Sequence, residues 1–167
     1  MTEFLRKAKV VAVVLLLMAM AGVGGGFYGH SLPKSGVDPQ DYMTTVFSPY
    51  EDAQAEFLHF LDGTKRKLRI GVYSYTNDAI TDKLIELHRR GVKDIKVIVD
   101  KSQSVARSAQ YQQEQINRLR AEGIEVIVGT SEKKHQIMHL KFAVRDDEWV
   151  EDGSWNYSVS ANDQNNN

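Results

Sequence analysis

The chain has 167 residues, 42% of them hydrophobic, with 21 basic against 22 acidic side chains and a formal net charge of −1. That length suits one domain with its own core and excludes a second catalytic domain, while the even charge balance excludes a protein held to a polyanion by bulk charge. The absence of cysteine excludes disulfides, thiolate metal sites and cysteine nucleophiles, and leaves the redox compartment open.

Arg6, Lys7 and Lys9 precede an uncharged, mainly aliphatic run from Val10 to Val23, and Ala19-Met20-Ala21 has the small-x-small pattern of a signal-peptidase site. The uncharged stretch continues to Gly29, about 20 residues in all, which is enough to span a bilayer. Residues 1–27 are therefore expected to be a signal peptide or a signal anchor. Either places the domain outside the cytoplasm, as a periplasmic or secreted protein or one anchored in the inner membrane through residues 10–29. Residues 28–42, with Pro33, Gly36 and Pro39, read as a linker.

From residue 43 the pattern alternates strand and helix. Met43 to Phe47 reads as a strand, and Ser48-Pro49-Tyr50-Glu51 as a capping box opening a helix that buries Ala53, Phe57, Phe60 and Leu61 and stops at Gly63. A strand from Lys67 to Tyr73 follows. Thr76 or Asn77 caps a second helix with Ile80, Leu84 and Leu87 on one face, and Ile95 to Val99 is a β-branched run, completing a βαβ unit. A helix over 105–122, a strand from Ile124 to Val128 and the last strands complete a layered α/β/α domain around a mixed sheet. The basic clusters Lys65-Arg66-Lys67 with Arg69 and His88-Arg89-Arg90 read as solvated surface; Lys133-Lys134 is a candidate contact to a polyanion backbone.

The chemistry lies near the C-terminus. His139-Leu140-Lys141 is followed after four residues by Asp146, and after six more by Gly153-Ser154-Trp155-Asn156. On an extended segment alternate side chains share a face, so His139 and Lys141 point one way and Met138, Leu140, Phe142 and Val144 are expected to point into the core. A nucleophilic imidazole then stands beside a fixed cation. Gly153 and Ser154 let backbone amides approach an anion, and Asn156 adds a neutral donor. Ser154 also reads as a cap for a following helix, Trp155 as a packing residue, His135 as an exposed loop residue, and Asp146 as a structural or supporting acid.

This constellation, HxKxxxxDxxxxxxGSxN, resembles the signature of the phospholipase D superfamily, most closely its small bacterial endonuclease branch with one motif per chain. The similarity extends over most of Met43 to Asn167. It implies His139, Lys141 and Asp146 as catalytic residues, and Lys141, Gly153, Ser154 and Asn156 as the phosphate cradle. It further implies no metal and no cofactor, since Lys141 and Asn156 take the electrostatic role of a divalent ion. One motif is half a site in this superfamily, so a homodimer with a composite site is expected, working through a phosphohistidine. The substrate would be DNA or RNA, cut with little sequence preference. Alternatives are phospholipid headgroups, or an idle cradle that binds nucleic acid or membrane without turnover. Family members continue past GSxN into a further strand with an acid that orients the imidazole; here either the sequence is truncated or the sheet lacks that strand, and Asp163 is the only acid after Asn156.

Overall fold

A computed structural model describes residues 43–105, 109–129 and 137–164. The expected export segment, the linker over 28–42, His135 and the Lys133-Lys134 pair lie outside them.

The first strand expected from sequence does not form: residues 43–47 carry no regular structure. The capping box is also displaced. Asp52, not Ser48, caps helix α1 (Ala53–Asp62) by accepting from the Ala55 amide at 3.0 Å, while the Glu51 carboxylate turns back to the Phe47 amide at 2.7 Å. Asp is as good a cap as Ser, so whichever places Phe57 and Leu61 on the buried face prevails.

Next come β1 (Lys67–Val72), α2 (Asp78–Arg89) capped by Asn77, and β2 (Asp94–Asp100). The helix expected over 105–122 is present among the described residues as α4 (Ala109–Ala121), and a short α3 (Lys101–Val105) precedes it. Strands β3 (Glu125–Gly129), β4 (Lys141–Arg145) and β5 (Trp149–Asp152) and the short helix α5 (Val159–Asp163) follow. The five strands lie in the order β3-β2-β1-β4-β5, with β1, β2 and β3 parallel and β4 and β5 antiparallel to their neighbours. The sheet is mixed, as expected.

Both crossovers, β1-α2-β2 and β2-α4-β3, step the same way along the sheet. Right-handed connections then place α2 and α4 on one face. Across that face run two rows of register partners: Val126, Val97, Ile70, Ala143 and Glu151, and above it Val128, Val99, Val72 and Lys141. Val97, Ile70, Val99, Val72 and Ala143 are at most 2% exposed, and with Leu61, Leu84, Leu87, Ile116 and Leu119 they form the core.

The opposite face holds Ile127, Ile98, Gly71 and Phe142 in one row and Val144 beside Val150 in another. The Phe142 ring occupies the space where a Gly71 side chain would stand. Ile127 and Val150 are exposed. The assignment of strand faces from sequence is therefore reversed. It is Lys141 and Ala143 that face the helix-covered core, and Phe142 and Val144 that face away from it. Alternation fixes which residues share a face, but a strand apolar at both sets of positions does not say which face the helices cover.

Candidate active site

The site forms where β1 ends and β4 begins. The β1–β4 pairing places Val72 opposite Lys141, and the ladder continues one step further with the Tyr73 amide donating to the Leu140 carbonyl at 2.8 Å. Both motif side chains meet Tyr73. The His139 ring stands edge-on to the Tyr73 ring at 4.8 Å between centroids, and the Lys141 ammonium lies 5.4 Å from the centre of that ring. Lys141 Nζ also donates to the His139 carbonyl at 2.9 Å, so the cation is tied to the backbone of His139. His139 is exposed, whereas Lys141 is 3% exposed, and burial lowers its ammonium pKa. A dehydrated ammonium that keeps its charge is a strong partner for a phosphate oxygen.

Asp100, at the carboxyl end of β2, positions the segment leading into His139. It accepts from the Met138 amide at 2.6 Å and from the Ser102 amide at 2.7 Å. Burial pushes its pKa up, but the bonds from Ser102 and Met138 outweigh it and hold the carboxyl below its usual value. Neither Asp100 nor Tyr73 stood out in the sequence. The signal available was their place at the carboxyl ends of parallel strands, where ligands gather in open α/β sheets.

The Gly153–Asn156 loop crosses the same end of the sheet. Its entry is fixed by the Gly153 amide, which donates to the Lys141 carbonyl at 3.3 Å. Its exit is fixed beside β1, where Tyr157 bridges Tyr75 in parallel and its carbonyl accepts from the Thr76 amide at 2.9 Å. Since β4 lies between β5 and β1, the loop passes over the end of β4 that carries Lys141. Gly153 and Ser154 are exposed, and nothing stands within 4 Å of the position a Gly153 side chain would take. Asn156 is half-buried, and its Oδ1 has no hydrogen-bond partner among the described residues. Ser154 does not cap the next helix. Ser158 does, accepting from the Ala161 amide at 3.3 Å. Trp155 packs as expected, 5.7 Å from Phe57 and 5.2 Å from Tyr157 between ring centres.

Asp146 is elsewhere. It follows the far end of β4, about 17 Å from Lys141 at the usual rise per strand residue. There its carboxylate accepts from the amides of Lys65, Arg66 and Lys67 at 3.0, 2.8 and 2.9 Å. The structure thus joins His139, Lys141 and the Gly153–Asn156 loop at one end of the sheet and puts Asp146 in the turn at the other. Asp163 accepts from Asn162 at 2.9 Å.

One half-buried carboxylate lies unexpectedly in the core-facing row. Glu151 extends the row Val97, Ile70 and Ala143, and its Oε2 accepts from the Tyr157 hydroxyl at 3.0 Å. Burial pushes its pKa up from 4.5 to about 7, against the effect of the Tyr157 bond and with that of neighbouring Asp152. The folded state therefore holds this proton more tightly than the unfolded chain. Stability contributed by the neutral acid is present below about pH 4.5 and is lost as pH rises to about 7, a total of about 3 kcal/mol. Glu151→Gln should consequently be more stable than the parent at pH 8 by about 1–3 kcal/mol, with the difference closing near pH 4.5. Urea titrations at the two pH values check this; a difference independent of pH would refute it.

Residues 57–167 match the family described as cardiolipin synthase, PLD-like domain. Among curated proteins, the chain is similar to the mitochondrial cardiolipin hydrolases of Chlamydomonas reinhardtii and Xenopus laevis, 36% and 33% identical over 114 residues. These matches cover 66% and 68% of this chain and 47% and 50% of those proteins, so the chain spans about half the length of these relatives. Among solved structures, it resembles the phospholipase D family member Nuc from Salmonella typhimurium, with 28% identity and a TM-score of 0.64 over 72% of this chain and 74% of that one. NucT from Helicobacter pylori shares the fold, with 24% identity and a TM-score of 0.61 over 72% and 78% of the two chains. With the HxK pair and the GSxN loop gathered at one end of a mixed sheet, these matches make the chain a single HKD-type domain of the phospholipase D superfamily of phosphodiester hydrolases.

Proposed function

We propose that the domain hydrolyses phosphodiesters through a phosphohistidine, with phospholipid headgroups as its substrate class. The observation that carries the chemistry is the meeting of His139, Lys141 and the Gly153–Asn156 loop at one end of the sheet. An imidazole nitrogen of His139 attacks phosphorus, forming a P–N bond as the P–O bond to the leaving alcohol breaks. The alcohol takes its proton from the partner's His139, which then activates water to cleave the P–N bond and release the phosphomonoester. Lys141, Asn156 and the loop amides hold the nonbridging oxygens while charge accumulates on them. A single-motif chain needs a two-fold dimer for this, since each imidazole has one role at a time.

The lipid reading displaces the nucleic-acid substrate suggested by sequence alone, and three findings support it. The curated relatives are named cardiolipin hydrolases. Ile137 and Leu140 flank the nucleophile and are 48% and 53% exposed, presenting apolar surface beside the reacting centre. Among the described residues, several of the cations that cluster in the sequence are engaged by neighbouring acids: Lys67 with Asp147, Arg69 with Asp94, Arg89 with Glu122, and Arg90 with Glu86 and Asp62. Those side chains offer a nucleic-acid backbone little free charge. An N-terminal segment retained as an anchor, one of the two readings from sequence, would hold the domain beside a membrane. The endonuclease reading is favoured by the likeness to Nuc.

The test is to incubate the full chain with cardiolipin or phosphatidylcholine vesicles, plasmid DNA and RNA in parallel, each with and without excess EDTA. Phosphatidic acid or a released headgroup is expected, unaffected by the chelator because Lys141 and Asn156 do the electrostatic work. Cleavage of DNA or RNA without lipid turnover would overturn the substrate assignment, and loss on chelation with rescue by Mg²⁺ would overturn the metal-free chemistry.

A further inference from the structure

Glu151 and Tyr157 stand on either side of the Gly153–Asn156 loop. Glu151 is in β5, two residues before the loop begins, and Tyr157 follows directly on Asn156. The Tyr157 hydroxyl donates to Glu151 Oε2 at 3.0 Å, so one hydrogen bond closes the base of the loop. Each end is anchored separately. Glu151 pairs with Ala143 in the ladder, two residues along from Lys141, and Tyr157, fully buried, is bridged to Tyr75 and bonded to the Thr76 amide. The Tyr157 ring is packed by Phe57 at 4.4 Å and by Trp155 at 5.2 Å between ring centres. The register partner of Glu151, Ala143, and the row beyond it, Ile70 and Val97, are apolar, and an apolar residue in place of Glu151 would complete the row.

A carboxylate kept in that row at a cost to stability calls for a reason, and the loop supplies it. We propose that Glu151 is a positioning residue whose carboxylate, by accepting the Tyr157 hydroxyl, clasps the two ends of the phosphate loop and fixes Asn156 relative to His139 and Lys141. The inference rests on the reading of that loop as the phosphate cradle. A loop set in this way presents its donors without first losing conformational freedom, so the clasp acts on binding of the diester more than on the chemical step.

The test uses the full chain and three variants: Tyr157→Phe, which keeps the buried ring and removes only the donor; Glu151→Ala, which removes the acceptor; and Glu151→Gln, which keeps an acceptor oxygen without the charge. Hydrolysis of bis(p-nitrophenyl) phosphate is followed well below the unfolding temperature, and inorganic phosphate binding is measured by titration calorimetry. Tyr157→Phe and Glu151→Ala should raise KM about tenfold and weaken phosphate binding to match, with kcat within about threefold of the parent, while Glu151→Gln recovers most of the loss. Unchanged KM and phosphate affinity in Tyr157→Phe would overturn the proposal. So would losses confined to kcat and melting temperature in which Glu151→Gln is no better than Glu151→Ala, since these mark a purely structural pair. Should Glu151→Ala fail to fold, Tyr157→Phe decides. If the parent binds phosphate more tightly than Tyr157→Phe yet turns over no diester, the hydrolase reading falls and the clasp stands. If the parent neither hydrolyses diester nor binds phosphate better than its variants, both fall.

Discussion

His139→Asn should abolish turnover, with a loss of more than about a thousandfold in kcat, while the melting temperature stays within a few degrees of the parent. His139 is exposed and its ring contact is an edge-on meeting with Tyr73, so little packing is removed and the core has no cavity to absorb. In the two-fold site proposed above, the same substitution would delete two roles at once: the nucleophile on one subunit and the proton donor on the other. The effect should therefore exceed that of losing either acid–base catalysis or covalent catalysis alone. Binding of inorganic phosphate should persist, because Lys141 and the Gly153–Asn156 loop remain in place. Steady-state kinetics on bis(p-nitrophenyl) phosphate beside calorimetric phosphate binding separate these effects. Residual activity within about tenfold of the parent would remove His139 from the mechanism.

The motif was legible because its chemistry needs side chains at fixed spacing, and the fold delivers them without rearrangement. His139 and Lys141 meet at Tyr73, and Gly153 starts its loop directly beside Lys141. The alternation of β1, α2, β2, α4 and β3 was legible for a similar reason, since Asn77 caps α2 and both β2 and β3 carry short β-branched runs. What escaped is tertiary. Which face of β4 the helices cover depends on the direction of both crossovers, and nothing in Phe142 or Val144 announces it. The cap of α1 fell to Asp52 because the buried face of that helix, not its strongest local motif, sets its start. Glu151 was not singled out in the sequence. Only its register with Ala143, and Tyr157 returning beside it, put the carboxylate in the core-facing row.

Asp146 is where sequence left two readings open, and the geometry makes opposite predictions for each. Its carboxylate accepts three consecutive amides, those of Lys65, Arg66 and Lys67, and its own amide donates to the Lys67 carbonyl at 2.8 Å, so it pins the loop before β1 to the β4–β5 turn. Its backbone lies at φ 55°, a left-handed conformation that Asp and Asn tolerate better than residues without a short polar side chain. Asp146→Ala should therefore cost about 2–4 kcal/mol, from three amides left without their acceptor together with the backbone penalty. Asp146→Asn keeps Oδ1 for the Arg66 and Lys67 amides and the tolerance for positive φ, and should cost about 1–2 kcal/mol. Burial pushes the Asp146 pKa up, but the three amide bonds outweigh it and hold it below 3.8. The stability it contributes is thus fully present above that value and is lost as pH falls through the lower folded value, so the gap between parent and Asp146→Ala should narrow only in acid. Because the turn lies at the opposite end of β4 from Lys141, kcat of either variant, assayed where it is fully folded, should stay within about threefold of the parent. Urea melts at pH 7 and pH 3 with kinetics at low temperature measure both sides of this. A hundredfold fall in kcat without a change in the melt would make Asp146 part of the chemistry after all, acting from a distance that no contact in the structure explains.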